Sequence, residues 1–181
     1  TFLLPFGHLY NVLTYLREKF GSNKKYNCLT ICVGNLNVGG TGKTPTTIAL
    51  ADYFLKKGLN VHIVSRGYKG KFHGTFLVNP RKHRSDEVGD EPLLMSEFTS
   101  VWVSKRRKNG IAAAEKAGAQ VVLLDDGFQD PSFHKDFSIL VVDGTRGFGN
   151  KKCLPAGPLR ENIFQGFKRA DALVIVGSSL Y

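Results

Sequence analysis

Residues 28–45 constrain this chain more than any other stretch. They read Cys28-Leu29-Thr30-Ile31-Cys32-Val33-Gly34-Asn35-Leu36-Asn37-Val38-Gly39-Gly40-Thr41-Gly42-Lys43-Thr44-Pro45. An apolar, β-favouring run from Leu29 to Val33 breaks into a turn with glycines at 39, 40 and 42. Gly42-Lys43-Thr44 then leads into a helix predicted over Thr44 to Lys57. A strand that delivers a glycine-rich turn onto a helix N-terminus aims backbone N–H groups at one point. With the positive end of the helix dipole, that point is a cradle for a polyphosphate. The cradle comprises Asn37, Val38, Gly39, Gly40, Thr41, Gly42, Lys43 and Thr44. Lys43 is placed to reach the β- and γ-phosphates, and the Thr44 hydroxyl to ligate Mg²⁺. The spacing G-x-x-x-x-G-K-[ST] would put its first glycine at 37, where Asn37 stands. Asparagine tolerates positive φ better than most residues, so the turn is expected to survive. The bland alternative is a glycine-rich turn followed by a chance Lys-Thr.

Length and charge set the bounds. The 181 residues are 42% apolar, enough for one folded domain of ordinary size. Lys and Arg number 25 against 15 acids, a net charge of +10, which suits a polyanionic partner: nucleotide, nucleic acid or an anionic membrane face. The cysteines are Cys28, Cys32 and Cys153, an odd number that reads as reduced thiols in a cytosolic protein. A metal site at Cys28 and Cys32 is disfavoured because no tetrahedral ligand set accompanies them. No signal peptide is visible, and no apolar run approaches the ~20 residues that span a bilayer. The chain begins at Thr1 rather than Met, which suggests an upstream start.

The first twenty residues read as an amphipathic helix from about Pro5, with Phe6, Leu9, Leu13, Leu16 and Phe20 at three- and four-residue steps. Tyr10 and Val12 flank this stripe, and Arg17, Lys19, Lys24 and Lys25 add positive charge at its end. Two readings stand: a helix packed on the domain's own core, or an interfacial helix on an anionic membrane. After the phosphate loop and its helix, Val61 to Ser65 is a second strand, parallel to the first. Arg66 follows at its C-terminal end, where open α/β sheets bind ligands, and is a candidate phosphate or substrate contact. Residues 71–88 read as an exposed hairpin-like excursion. Asp90 and Glu91 then open a short helix, Pro92 to Phe98, either as simple helix-start acids or as groups that hold Mg²⁺ or accept a hydroxyl proton. Val101 to Val103 is a strand, and Lys105-Arg106-Arg107-Lys108 begins a helix to Ala117, from which one arginine is a candidate nucleotide contact.

The second strong signal is Gln120-Val121-Val122-Leu123-Leu124-Asp125-Asp126-Gly127-Phe128-Gln129. A fully apolar strand ends in two carboxylates, the arrangement of a Walker-B strand whose Asp helps hold Mg²⁺. Adjacent carboxylates beside phosphates repel unless a cation sits between them. Ser138 to Val142 and Ala172 to Val176 are further strands, separated by a proline- and glycine-rich segment.

Five segments occur in series: Gly-Gly-Thr-Gly-Lys-Thr-Pro at 39–45, Ser-Arg-Gly-Tyr at 65–68, Val-Gly-Asp-Glu-Pro at 88–92, Asp-Asp-Gly-Phe-Gln at 125–129 and Leu-Pro-Ala-Gly-Pro-Leu-Arg-Glu at 154–161. In this order they resemble the tetraacyldisaccharide 4'-kinase family over essentially the whole chain. The resemblance implies an α/β fold, a P-loop NTPase-like, mostly parallel sheet flanked by helices, and an N-terminal membrane-associating amphipathic helix (1–25) ahead of a kinase core (26–181). It implies ATP and Mg²⁺ as cofactors and transfer of the γ-phosphate to the 4'-hydroxyl of an acylated glucosamine disaccharide 1-phosphate, giving lipid IVA. The implied location is the cytoplasmic face of the bacterial inner membrane, with an anionic membrane surface as partner and no nucleic acid. Carried over by residue, Thr41, Lys43 and Thr44 correspond to positions holding ATP and Mg²⁺, and Asp90 to the catalytic Asp. Glu91 corresponds to its acidic neighbour near the metal, and Asp125 and Asp126 to the Walker-B pair. Arg107, with Arg106 adjacent, corresponds to an arginine near the nucleotide, and Glu161 to the acid after Pro-Leu-Arg; Arg66 and Glu161 are candidate substrate contacts. The family's catalytic Asp pairs with a His in a C-terminal portion that this sequence does not reach, so the resemblance implies the N-terminal core of a longer enzyme. The rival classes are a regulatory or partitioning ATPase, many of which carry a lysine where Val38 stands here, and a basic nucleic-acid-binding module, for which no aromatic-basic motif is present.

Overall fold

The computed structural model describes residues 2–21 and 23–178. After the N-terminal helix α1 (Leu4–Lys19) the chain alternates strand and helix: β1 (Leu29–Gly34), α2 (Lys43–Lys56), β2 (Val61–Ser65), β3 (Thr75–Leu77), α3 (Ser85–Val88), α4 (Asp90–Met95), β4 (Ser100–Ser104), α5 (Arg107–Lys116), β5 (Val121–Asp125), β6 (Phe137–Asp143), α6 (Ile163–Lys168) and β7 (Ala172–Val176). One seven-stranded sheet results, in the order β3-β4-β2-β5-β1-β6-β7. Every pairing is parallel except β3 with β4. This is the expected α/β architecture.

The sheet is buried on both faces, which is why its central strands are unbroken apolar runs rather than alternating ones. Side-chain parity divides the core. Cys32, Val64, Val122, Leu124 and Leu140 point to one face, where Ile111 and Ala114 of α5 cover them together with Phe128 and Phe133. Ile31, Val33, Ile63, Leu123, Ile139 and Val141 point to the other, where Ala51 of α2, Val88 and Met95 pack. β5 and β1 lie side by side in the middle, with Val33 opposite Asp125. The C-terminal ends of β1, β2, β4, β5 and β6 therefore share one edge of the molecule, the edge where such sheets hold ligands.

Several segments differ from expectation. α4 begins at Asp90 rather than Pro92, so both acids occupy its first turn. The 71–88 excursion ends in the short helix α3. The unanticipated α6 is capped by Asn162, whose Oδ1 accepts a hydrogen bond from the Phe164 N–H at 2.9 Å. Asn37 is not left-handed; among the described non-glycine residues only Lys69, Asp126 and Lys151 have positive φ. The chain at 37 instead bridges to Leu159, and Asn37 Nδ2 donates to the Gly147 carbonyl at 2.8 Å. A β-like pairing replaces the tight turn that would have demanded glycine.

α1 turns its apolar stripe outward. Leu4, Gly7, Asn11 and Thr14 face the body of the protein, with Asn11 Oδ1 accepting from the Asn162 N–H at 3.1 Å. Phe6, Leu9, Leu13, Leu16 and Phe20 are all exposed, as are Val12 and Tyr15. The reading of a helix whose apolar stripe packs on the domain's own core is thus corrected. The small Gly7 and the polar Asn11 dock it against the 153–162 segment, where an added Cβ at Gly7 would stand 3.1 Å from the Cys153 carbonyl oxygen.

Candidate active site

The β1–α2 connection is braced from within. Asn35 is buried at the end of β1, and its Nδ2 donates to Thr41 Oγ1 at 3.0 Å and to the Gly39 carbonyl at 3.3 Å. Gly42 then takes φ 87°, a left-handed value that glycine adopts without the cost of a side chain, and α2 starts at Lys43 with no side-chain cap. Pro45 carries no N–H and the Thr46 N–H is bonded to the Gly42 carbonyl at 3.1 Å, so the uncapped N–H groups of Lys43 and Thr44 are the ones suited to an anion.

β5 supplies the opposing charge. Asp125 ends the strand at 3% exposure. Ser65 Oγ donates a long hydrogen bond, 3.4 Å, to its Oδ2. Its Oδ1 is buried without a partner. Burial, with Glu91 and Asp126 adding repulsion, pushes the Asp125 carboxyl up to about 6, against the pull of Lys43 and Arg107. An orphaned, buried carboxylate oxygen beside a second acid fits a cation, or a water carried by one.

Asp126 lies just beyond the strand with φ 54°, its N–H bonded to the Val33 carbonyl at 2.9 Å. Lys43 Nζ stands 3.6 Å from Asp126 Oδ1, and Arg160 Nη1 3.0 Å from both carboxylate oxygens. Burial works against the ionised form here too. Lys43, Arg160 and Arg107 outweigh it and hold the carboxyl below its ordinary value. The two aspartates, neighbours in sequence, are thus driven in opposite directions.

Arg107 explains the fixed position of this pair. It is 4% exposed. Its Nη2 donates to the backbone carbonyls of Asp125, at 3.2 Å, and Asp126, while Nη1 pairs with Asp130 at 3.5 Å. Burial lowers its pKa while Asp126 and Asp130 oppose the shift. Arg106, by contrast, is exposed at the helix N-cap.

These groups border one cleft of about 760 Å³. Val38, Gly39, Gly40 and Lys43 line it from the loop, Ser65 and Arg66 from β2, and Glu91, Lys105, Arg107, Asp125, Asp126 and Arg160 from the remaining sides. Of the residues singled out in sequence, Asp90, Thr41, Thr44, Asn37, Gly42 and Glu161 do not line it. Asp90 is exposed in the first turn of α4 beside Glu91, and Thr41 is buried under the loop as the acceptor for Asn35. Among the described residues no three His, Cys, Asp or Glu side chains are grouped to hold a metal by themselves. Of the residues expected to hold Mg²⁺, Glu91, Asp125 and Asp126 line the cleft and Thr44 does not, so a Mg²⁺ here would complete its shell with phosphate oxygens and water, the usual mixed shell for this ion.

Glu161 does not stand where a substrate contact would. It is 1% exposed, bonded to Arg169, and accepts from Gln129 Nε2 at 3.0 Å. The same nitrogen donates to the Asn35 carbonyl at 2.8 Å. Gln129, Glu161 and Arg169 thus tie the end of β1 to the segment that carries Arg160. Sequence reasoning gave no role to Asn35, Lys105, Gln129 or Arg160. The last two stand inside quoted motifs, which was the available signal.

Comparison with known proteins agrees with this architecture. The family model for tetraacyldisaccharide-1-P 4'-kinase matches residues 1–180. A tetraacyldisaccharide 4'-kinase from Dinoroseobacter shibae is 51% identical over 175 residues, covering 97% of this chain and 52% of that protein. One from Rhodospirillum rubrum is 47% identical over 176 residues, covering 97% and 53%. A crystal structure of LpxK from Aquifex aeolicus in complex with ATP superposes with a TM-score of 0.82 at 42% identity, covering 96% of this chain and 57% of that one. The chain spans about half the length of the curated relatives it matches. With a mostly parallel sheet, a phosphate loop facing paired aspartates and a family match along 1–180, the chain belongs to the tetraacyldisaccharide-1-P 4'-kinase family.

Proposed function

We propose that this chain is the nucleotide-binding core of an ATP-dependent kinase that phosphorylates the 4'-hydroxyl of an acylated glucosamine disaccharide 1-phosphate, giving lipid IVA. The observation that carries the reading is the meeting of two distant segments: Lys43, at the start of α2, and Asp126, after β5, stand 3.6 Å apart on one cleft. Phosphoryl transfer needs positioning and charge neutralisation rather than covalent catalysis. The α2 N-terminus and the 39–42 backbone bind the β- and γ-phosphates, and Lys43 spreads its charge across the transferring group. Mg²⁺, when bound, neutralises and orients those phosphates. Asp125 would hold it, with Glu91, Asp126 and Thr44 as further candidate ligands. Arg107 fixes the aspartate backbone, and Arg66 faces the acceptor. Asp90 accepts the proton of the 4'-hydroxyl as its oxygen bonds to the γ-phosphorus and the bond to the leaving ADP oxygen breaks.

Residues 1–25 act as a membrane-associating element and 26–181 as the kinase core. The exposed side chains of Phe6, Leu9, Leu13, Leu16 and Phe20 support the first role, as does the basic end of the helix. Among the described residues no helix is long and apolar enough to cross a membrane, and association from the cytoplasmic face of the inner membrane fits a helix lying in the interface. The deciding experiment is ATP-dependent phosphate transfer to the acylated disaccharide 1-phosphate, comparing the full-length protein with residues 1–181. Transfer by the full-length protein is expected; ATP hydrolysis without labelled lipid would return the chain to the regulatory ATPases.

A further inference from the structure

The phosphate loop is tied to the rest of the molecule unevenly. Its first half is pinned from outside. The Val38 N–H donates to the Pro158 carbonyl at 2.8 Å, and Asn37 bridges to Leu159 and donates through Nδ2 to the Gly147 carbonyl. Over residues 39–41 this support ends. Among the described residues, Asn35 is the one group hydrogen-bonded to these three positions. Gly39 and Gly40 are exposed, and a Cβ added at either would meet nothing within 4 Å. Neither packing nor main-chain pairing therefore fixes the span, and its two glycines leave it more conformational freedom than any other residue would.

Asn35 reaches that span from beneath. Its Nδ2 donates to the Gly39 carbonyl at 3.3 Å and to Thr41 Oγ1 at 3.0 Å, so one amide grips both ends. The Gly39 carbonyl can only accept, which turns the NH₂ end of the amide toward the loop. Asn35 is itself buried, and its backbone carbonyl is held from behind by Gln129 Nε2 at 2.8 Å. It does not line the nucleotide cleft. Its Oδ1 is buried without a partner. An orphaned acceptor in the interior costs stability, so folding alone does not favour an asparagine after β1. What the amide supplies instead is a shape for the loop.

We propose that Asn35 is a positioning residue for the triphosphate, an internal template that holds residues 39–41 in the form that meets the phosphates before the nucleotide arrives. The assignment rests on the kinase reading above. Asn35 touches no phosphate by this account and acts through the loop. A glycine-rich span that is ordered beforehand loses less freedom when the ligand binds, and the saving appears as affinity. Gln129 supports the template by fixing the backbone from which the amide projects.

The test uses the full-length protein and two substitutions. Asn35→Leu keeps roughly the size of the side chain while removing both donors and the orphaned oxygen. Asn35→Ala removes the same groups without the branched bulk. In both, the KM for ATP should rise by about tenfold or more, with the KM for the acylated disaccharide 1-phosphate unmoved. Titration with a fluorescent ATP analogue should show the same loss, and urea unfolding reports whether each variant is folded. A merely structural brace would lower the urea midpoint and leave the ATP KM in place. An unchanged ATP KM in either folded variant overturns the proposal, as does an equal rise in the KM of both substrates. Failure of both variants to fold overturns it too, since the amide would then serve the fold. A wild type that binds the analogue but labels no lipid sinks the kinase reading alone, and the titration still decides the role of Asn35.

Discussion

Arg160 Nη1 lies 3.0 Å from each carboxylate oxygen of Asp126, and Lys43 Nζ stands 3.6 Å from Oδ1 of the same carboxylate. One anion after β5 is thus shared by a cation from the phosphate loop and a cation 34 positions further along the chain. The pairing explains why the Asp126 carboxyl is held below its ordinary value while that of its neighbour Asp125 is pushed up.

Lys43→Ala should remove the charge that meets the transferring phosphate. Lipid phosphorylation by the full-length protein is expected to fall by roughly 10²–10³-fold, the usual cost of losing one preorganised electrostatic partner. Thermal unfolding should shift little. Unchanged labelling of the lipid would remove Lys43 from the reaction.

Asp90 is exposed and makes no ion pair among the described residues, so its replacement by Ala should leave the fold and ATP affinity near normal. Turnover should fall by roughly 10²–10⁴-fold if it accepts the hydroxyl proton. A parallel collapse of ATP affinity, read by titration with a fluorescent nucleotide, would move Asp90 from proton transfer to metal binding.

Asp125 has a pH signature. Its carboxyl titrates near 6 in the folded, nucleotide-free protein, above the ordinary Asp value. A raised carboxyl favours the folded state below about pH 4, where folded and unfolded forms are both protonated; that contribution fades as pH rises through 6. Asp125→Asn should therefore stabilise the nucleotide-free protein at pH 8, by as much as about 3 kcal/mol, with the gain vanishing near pH 4. Denaturant unfolding at the two pH values measures it. The same substitution should weaken Mg²⁺-dependent nucleotide binding.

Phe6 and Leu13 are 52% and 57% exposed, so Phe6→Asp with Leu13→Asp removes little internal packing. Stability should change by no more than about 0.5 kcal/mol for each surface substitution. Cosedimentation with anionic vesicles should drop sharply while ATP binding persists. Unaltered cosedimentation would free α1 from any membrane role.

Glu161 is buried against Arg169 and Gln129, so Glu161→Ala would leave a guanidinium facing a gap. The expected loss is about 1–3 kcal/mol in urea unfolding, the cost of leaving polar partners unsatisfied, discounted because the Arg169 side chain is 30% exposed. A substrate-contact role would instead raise the KM for acceptor with stability intact.

The sheet was legible because its strands advertise themselves. Val121 to Leu124 is an apolar run that only a two-sided burial explains, and the acids at its end could serve only the edge that the Lys43 loop also reaches. What stayed hidden depends on contacts between segments far apart in sequence. Nothing local to Arg160 announces a partner at Asp126, and nothing local to Glu161 announces burial. Asn37 looked like a tolerated substitute for glycine because the motif frames it as a turn; the pairing with Leu159 belongs to another part of the chain. The first helix was legible in its period but not in its orientation. Periodicity locates an apolar stripe and is silent on which side the protein lies, and here Leu4, Gly7 and Asn11, not Leu9, Leu13 or Leu16, meet the body.

The shared carboxylate of Asp126 changes how a triphosphate would enter. Lys43 and Arg160 are not bare cations awaiting a ligand, since each already rests on an internal stand-in for phosphate. An incoming nucleotide swaps one counter-ion for another, so the loop lysine is spared stripping from open water at the moment of capture. Departure of the product is helped by the same exchange run backwards.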